Sequence, residues 1–229
     1  MNILAFDTTL NHCSVAVMTD SCIVAHCSER LQRGHAEALM PMIQSALSTA
    51  RLSFDDLDLV GVTTGPGTFT GQRVGLSAAR GIGVSRQLPV QGVGTLPAIA
   101  AAVRKDHAEV DILVVMDARR DEFYVQHFPA AATLWANQLP ARAIATDRLA
   151  ETLPGTPCLL VGTGVELATG ILGNGNPKIT FGPSGIEADA VEVADLAALI
   201  VVADGLPHTP PSPLYLRAPD AKLPGGKSL

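Results

Sequence analysis

Aromatic residues and charges are both scarce in this chain: Phe, Trp and Tyr make up 4% of its 229 residues, and Asp, Glu, Lys and Arg 17%. Positive charge is the scarcer sign, with 16 Lys and Arg against 22 Asp and Glu, a net charge of −6. The adjacent basic pairs are Arg104-Lys105 and Arg119-Arg120. Nucleic-acid binding draws on clustered cations that release counterions, so the chain alone is expected to hold RNA weakly. The four cysteines, Cys13, Cys22, Cys27 and Cys158, form no C-x-x-C pair, and three lie in strand-like text. They read as buried thiols of a reducing compartment. The six histidines form no H-x-x-x-H or H-E-x-x-H pair, so a zinc hydrolase has no support and no metal is expected. The best apolar stretch, residues 191–203, is too short to span a bilayer and is broken by Glu192 and Asp195. Met1 runs straight into a strand-like segment without a basic leader, so a cytoplasmic protein is expected.

Hydrophobic residues are plentiful, at 47%, enough for one large domain or two small ones. The first half reads β-β-β-α-β-α-β-α: strands at 3–6, 14–18 and 23–27, a helix over 34–51, a strand at 57–62, a glycine loop with its helix to 86, a strand at 90–93 and a helix over 96–104. Pro41 sits awkwardly in the first helix, which is expected to bend there or start irregularly. At Asp111 the pattern restarts. Residues 112–117 repeat an apolar strand ending in aspartate, as residues 3–7 do, and a second strand follows each. Asp7 and Asp117 lie about half the chain apart, which points to duplication. Residues 133–157 are mixed, 159–161 a strand, 164–172 a short helix and 187–203 an amphipathic helix. From Pro207 onward, repeated prolines exclude helix, although Leu214-Tyr215-Leu216 suits an edge strand. The expected division is a lobe over 1–108, a smaller lobe over 109–206, and a proline-rich segment and tail over 207–229.

Candidate function concentrates in Gly65-Pro66-Gly67-Thr68-Phe69-Thr70-Gly71-Gln72-Arg73-Val74-Gly75, between a strand and a helix. It lacks the Lys and Ser/Thr of a phosphate-binding P-loop, and its glycines are misspaced for a dinucleotide fingerprint. Thr68 and Thr70 could still present hydroxyls to a phosphate at the helix N-terminus. The plainer alternative is a turn with glycine at positive φ and Thr70 capping the helix. Beyond the loop, Gly71, Gly75, Ala79 and Gly83 recur every fourth residue. Glycine in a helix costs roughly 1 kcal/mol relative to Ala, so three on one face imply a packing demand. A partner helix or the chain's own sheet would meet that demand equally well. Asp7-Thr8-Thr9 and Asp117-Ala118-Arg119 stand where duplicated actin-like ATPases and sugar kinases hold phosphate and metal, but neither has glycine two residues on. Each aspartate is at least as suited to accepting backbone N–H bonds in a turn. His35, at a helix start, suits a cap or surface contact better than a catalytic base.

Four segments together resemble the TsaB (YeaZ) family: Arg33-Gly34-His35-Ala36-Glu37-Ala38-Leu39-Met40-Pro41, the glycine segment with its Arg73, Met116-Asp117-Ala118-Arg119-Arg120-Asp121-Glu122-Phe123-Tyr124, and Pro213-Leu214-Tyr215-Leu216-Arg217. The resemblance implies an α/β protein with the duplicated actin-like/Hsp70-like (ASKHA, ribonuclease H-like) fold in two small lobes. It implies a non-catalytic subunit for making N6-threonylcarbamoyladenosine at position 37 of tRNA. Such a subunit docks on the catalytic TsaD, with the ATPase TsaE completing the assembly and tRNA held only through the complex. Docking would use the first two helices, assigned to His35, Leu39, Met42, Ala46, Gly71, Gly75, Ala79 and Gly83, with Gly65, Gly67, Thr68, Thr70 and Arg73 as the motif loop. Asp7, Thr8 and Asp117 would be a vestigial nucleotide site without a cofactor of its own, ATP or ADP lying at most near the partner interface. Gln72 departs from the family, which carries an aliphatic residue there. A homodimer through the docking face is expected when no partner is present. The competing readings are a small actin-like kinase or ATPase, or a glycoprotease-like peptidase, acting alone.

Overall fold

The computed structural model describes residues 1–130, 133–134 and 139–217. Two five-stranded mixed sheets carry the fold. The first is built from β1 (Asn2–Asp7), β2 (His12–Thr19), β3 (Cys22–Arg30), β4 (Leu59–Gly65) and β5 (Val90–Gly94), in the order β3-β2-β1-β4-β5. The second comprises β6 (Asp111–Asp117), β7 (Glu122–Phe128), β8 (Arg142–Ala145), β9 (Cys158–Gly162) and β10 (Ile179–Ser184), in the order β10-β9-β6-β7-β8. In each sheet the first three strands form an antiparallel meander and the last two add in parallel. The second half therefore repeats the first strand for strand, which is the duplicated ribonuclease H-like arrangement of actin-like proteins.

Helices α1 (His35–Ala50) and α2 (Phe69–Arg86) lie on one face of the first sheet. They bury Leu39, Ile43, Leu47, Leu76 and Ile82 against Leu4, Phe6, Val15, Val17, Val60 and Val62. In the second half, the short α4 (Val165–Leu172) and a 3-10 segment, Thr146–Thr152, stand in their place. Alternate residues of the central strands point the other way: Ile3 and Ala5 from β1, and Ile112, Val114 and Met116 from β6, enter one core shared by both halves. Two helices fill that core. Helix α3 (Thr95–Arg104) closes the first half and lies between the sheets, on β4 and β5 as well as on β6, β7 and β9, while α5 (Ala190–Asp204) closes the second half and packs on β1, β2, β4 and β5.

Polar contacts fix the entry of α5. The Glu187 carboxylate accepts from the backbone N–H of Asn11 at 2.8 Å and of His12 at 3.1 Å, and from Asn11 Nδ2 at 3.0 Å. Asp189 caps the helix by accepting from Val191 N–H at 2.9 Å. Ala190 N–H donates to the Ser14 hydroxyl at 2.9 Å.

Some expectations change. α1 runs unbroken through Pro41, whose ring is on the exposed side. α2 begins at Phe69 and its cap is Thr68, whose hydroxyl accepts from Gly71 N–H at 3.1 Å, not Thr70. Residues 214–216 form no strand; one bond, from Leu214 N–H to the Thr64 carbonyl at 2.8 Å, ties them to the end of β4. The expected loose tail, residues 225–229, lies outside the described residues. No helix among the described residues is long and apolar enough to cross a membrane.

Candidate functional site

The glycine loop sits directly on the turn after β1. Gly65, at φ 112, lets β4 reverse, and Thr68 N–H then donates to the Thr9 carbonyl at 2.8 Å. A Cβ at Gly67 would lie 2.6 Å from that same carbonyl oxygen. Gln72 folds back over the loop, fully buried, with Nε2 donating to the Gly67 carbonyl at 3.2 Å. Its side chain is thus part of the loop's interior rather than of any exposed docking region.

Asp7 lies beneath this lid with no exposed surface. Its Oδ1 accepts from Thr63 Oγ1 at 2.5 Å, Thr9 Oγ1 at 2.6 Å and Thr9 N–H at 3.2 Å. Burial pushes its carboxyl up to about 6, against the opposing pull of the Thr63 and Thr9 hydrogen bonds. Thr8 is equally buried and spends its hydroxyl on the Gly71 carbonyl, at 2.7 Å. Asp117, the counterpart in the second half, accepts from Arg119 N–H at 2.7 Å. Both aspartates cap the backbone two residues on, the turn role the sequence allows. At the end of β1 the glycine loop packs directly on Thr8 and Thr9, and Asp7 Oδ2 is buried there without a hydrogen-bond partner. Among the described residues, no three His, Cys, Asp or Glu side chains gather in a metal-binding group.

The stripe of small residues faces inward, which corrects its assignment to a partner interface. Gly71, Gly75, Ala79 and Gly83 are all buried. A Cβ at Gly71 would collide with the Thr8 carbonyl oxygen, at Gly75 it would lie 2.7 Å from Thr8 Oγ1, and at Gly83 2.6 Å from Val90 Cγ2. The stripe lets α2 lie close on its own sheet. Leu39, Met42 and Ala46 of α1 are also buried; Met42 and Ala46 belong to the core below, while Leu39 also lines the floor of the space between the two helices. His35 is half-buried at the first turn of α1 and makes no cap bond.

What α1 and α2 present outward is a shallow apolar groove. One part, about 520 Å³, is lined by Ala36, Leu39, Met40, Phe69, Val74, Ser77 and Ala78, with Arg73 and Thr70 at its edge. A second part, about 340 Å³, continues from Met40 and Ala78 to Phe54, Gly81, Ile82 and Arg86. Met40 is 39% exposed and Phe69 56%. The rim is basic: Arg73 lies 3.6 Å from the centroid of the Phe69 ring, and Arg86 pairs with Asp55 at 2.5 Å. The signal for this face was present in the sequence as a second period on α2, Val74, Ala78 and Gly81, and on α1 as Ala36 and Met40. The glycines drew attention to the opposite side of the same helix.

Residues 27–203 match the family model described as TsaD: tRNA N6-adenosine threonylcarbamoyltransferase. The chain is 30% identical to the tRNA threonylcarbamoyladenosine biosynthesis protein TsaB of Buchnera aphidicola (subspecies Schizaphis graminum), over 66% of this chain and 72% of that protein. The chain belongs to the TsaB family. With the TsaB of Escherichia coli it shares 37% identity over 54% of its own length and 53% of the relative's, so it spans about half of that protein. An uncharacterized Mycobacterium tuberculosis protein is 37% identical over 83% of this chain and 78% of its own. Among solved structures, YeaZ from Pseudomonas aeruginosa superposes with a TM-score of 0.81 at 23% identity, covering 94% of this chain and 99% of that one, and shares the fold.

Proposed function

We propose that this protein is a non-catalytic subunit in tRNA N6-threonylcarbamoyladenosine biosynthesis, docking on the catalytic subunit TsaD through the outer groove of α1 and α2. The observation that carries the reading is that groove: an exposed apolar channel along two adjacent helices, rimmed by Arg73 and Arg86. Exposed apolar channels of this kind are covered by partners. The names of the relatives supply the pathway, and the glycine loop packed over Asp7 supports a subunit that binds no nucleotide of its own. TsaE would join through the same assembly, and tRNA would be held by the complex rather than by this acidic chain. The reaction's tRNA substrate makes the compartment cytoplasmic. When no partner is present, a second copy of the chain would cover the groove.

The test is Met40→Glu, a charge placed in the middle of the groove at a side chain already partly in solvent. It is expected to leave the melting temperature unchanged and to weaken TsaD binding by tenfold or more, as loss of a central interface contact does. In a strain lacking the gene, the variant should fail to restore the modified nucleoside, measured by mass spectrometry of bulk tRNA. Full complementation with undiminished TsaD binding would refute the assignment of the groove.

A further inference from the structure

The segment 211–217 runs from the first half to the second along the open end of the groove. At its start, the Pro211 carbonyl accepts from Arg80 Nε at 3.1 Å and Nη2 at 2.6 Å. The Pro211 ring fills the space where a Cβ on Gly92 would be. Leu214 N–H bonds the Thr64 carbonyl. In the middle, the Tyr215 ring stacks on Phe69 with centroids 5.8 Å apart and planes 29° apart, and its hydroxyl accepts from Arg73 Nε at 3.0 Å. At the far end, Arg217 forms an ion pair with Glu122 of β7. Its Nη2 donates to the Ala118 carbonyl at 3.2 Å and the Arg119 carbonyl at 3.3 Å, in the turn between β6 and β7. Arg119, Arg120 and Asp121 of that turn all hold positive φ, of 62, 56 and 56. A turn of three left-handed residues depends on outside contacts to persist.

We propose that residues 211–217 are a clasp that couples the second half of the molecule to the docking groove. Pro211 and Pro213 have fixed φ and leave the segment little slack between its anchors. Tyr215, held from both ends, pins Phe69 and Arg73, which form the wall of the groove nearest the start of α2. Releasing Arg217 therefore loosens that wall, although Arg217 and Glu122 are no part of the groove. Whatever engages the turn between β6 and β7 would tune partner affinity through this segment. The inference rests on the docking reading for its effect on affinity, but the coupling itself belongs to the free chain.

Arg217→Ala and the milder Glu122→Gln cut the far anchor, and Tyr215→Phe removes only the hydroxyl that holds Arg73. Hydrogen exchange of the free full-length chain is read first. Backbone amides of residues 68–76 should exchange severalfold faster in Arg217→Ala and Glu122→Gln, along with the clasp itself. Titration calorimetry with purified TsaD should then show affinity about fivefold weaker in all three variants. Faster exchange confined to 211–217, or unchanged TsaD affinity where Met40→Glu weakens binding tenfold or more, overturns the clasp and leaves the docking reading intact. Unchanged affinity in Met40→Glu as well defeats the docking reading, and exchange at 68–76 then still decides the coupling by itself.

Discussion

Thr8 grips Gly71 at two points. Its hydroxyl donates to the Gly71 carbonyl at 2.7 Å, and its own carbonyl oxygen stands where a Cβ on Gly71 would have to go. Glycine at this position is what brings the start of α2 down onto the turn after β1. The same contact closes the glycine loop over the buried Asp7.

Gly75→Leu should accordingly damage the fold rather than the surface. Its side chain would enter the space held by Thr8 Oγ1 and Val62 Cγ2. Overpacking of this kind costs about 1–3 kcal/mol or more. Thermal unfolding is expected to move down by several degrees, while the soluble fraction still binds TsaD. An unchanged melting temperature with lost partner binding would return the small-residue stripe to the interface.

Asp7 gives the protein a characteristic response to pH. Its carboxyl, ordinarily near 3.8, is raised to about 6 by burial. Between those values the folded chain holds a proton that the unfolded chain has released, so this group's contribution to stability falls as pH rises from about 4 to about 6 and is flat above. Asp7→Asn keeps an acceptor for Thr63 and Thr9 and removes the titration. Relative to wild type, the variant should gain stability between pH 4.5 and 7, by an amount on the order of 2–3 kcal/mol at most. Urea midpoints at the two pH values measure it, and parallel curves for the two proteins would contradict it.

Thiol chemistry separates the four cysteines, and it corrects the expectation that all are buried. Cys22 is exposed, Cys27 half-buried, and Cys13 and Cys158 buried, with burial pushing these last two thiols up to about 12 and about 11. The thiolate is the reactive form. Iodoacetamide at pH 8 should label Cys22 within minutes, Cys27 slowly, and the other two only in denaturant, as peptide mapping would show. Early labelling of Cys13 would mean that the face of the sheet beneath α1 opens readily.

Legibility followed the strength of each periodic signal. β1, β4 and β6 announce themselves as apolar runs because they are central strands buried on both faces, and α1 by its apolar spacing. The repeat of Asp7 at Asp117 correctly marked the duplication, since both close the first strand of their sheet. β8 was hidden because it is a four-residue edge strand with no fully buried residue, and β10 because Gly182 and Pro183 lie within it. The groove was misplaced for a different reason. Small residues announce close approach without saying to what, and only the tertiary position of Thr8 and Val90 shows that the neighbour is the chain's own sheet.

The placement of α5 on the first sheet bears on how the chain is made. A ribosome will have released all of the first sheet's strands while one side of that sheet, with Ile3, Ala5, Met18 and Leu59, still lacks most of its cover. Most of that cover is α5, roughly a hundred residues further on, since α3 reaches only β4 and β5 of this sheet. The first half therefore completes its core only when the second half supplies α5. Nascent chains would hold one side of the first sheet partly bare until α5 emerges.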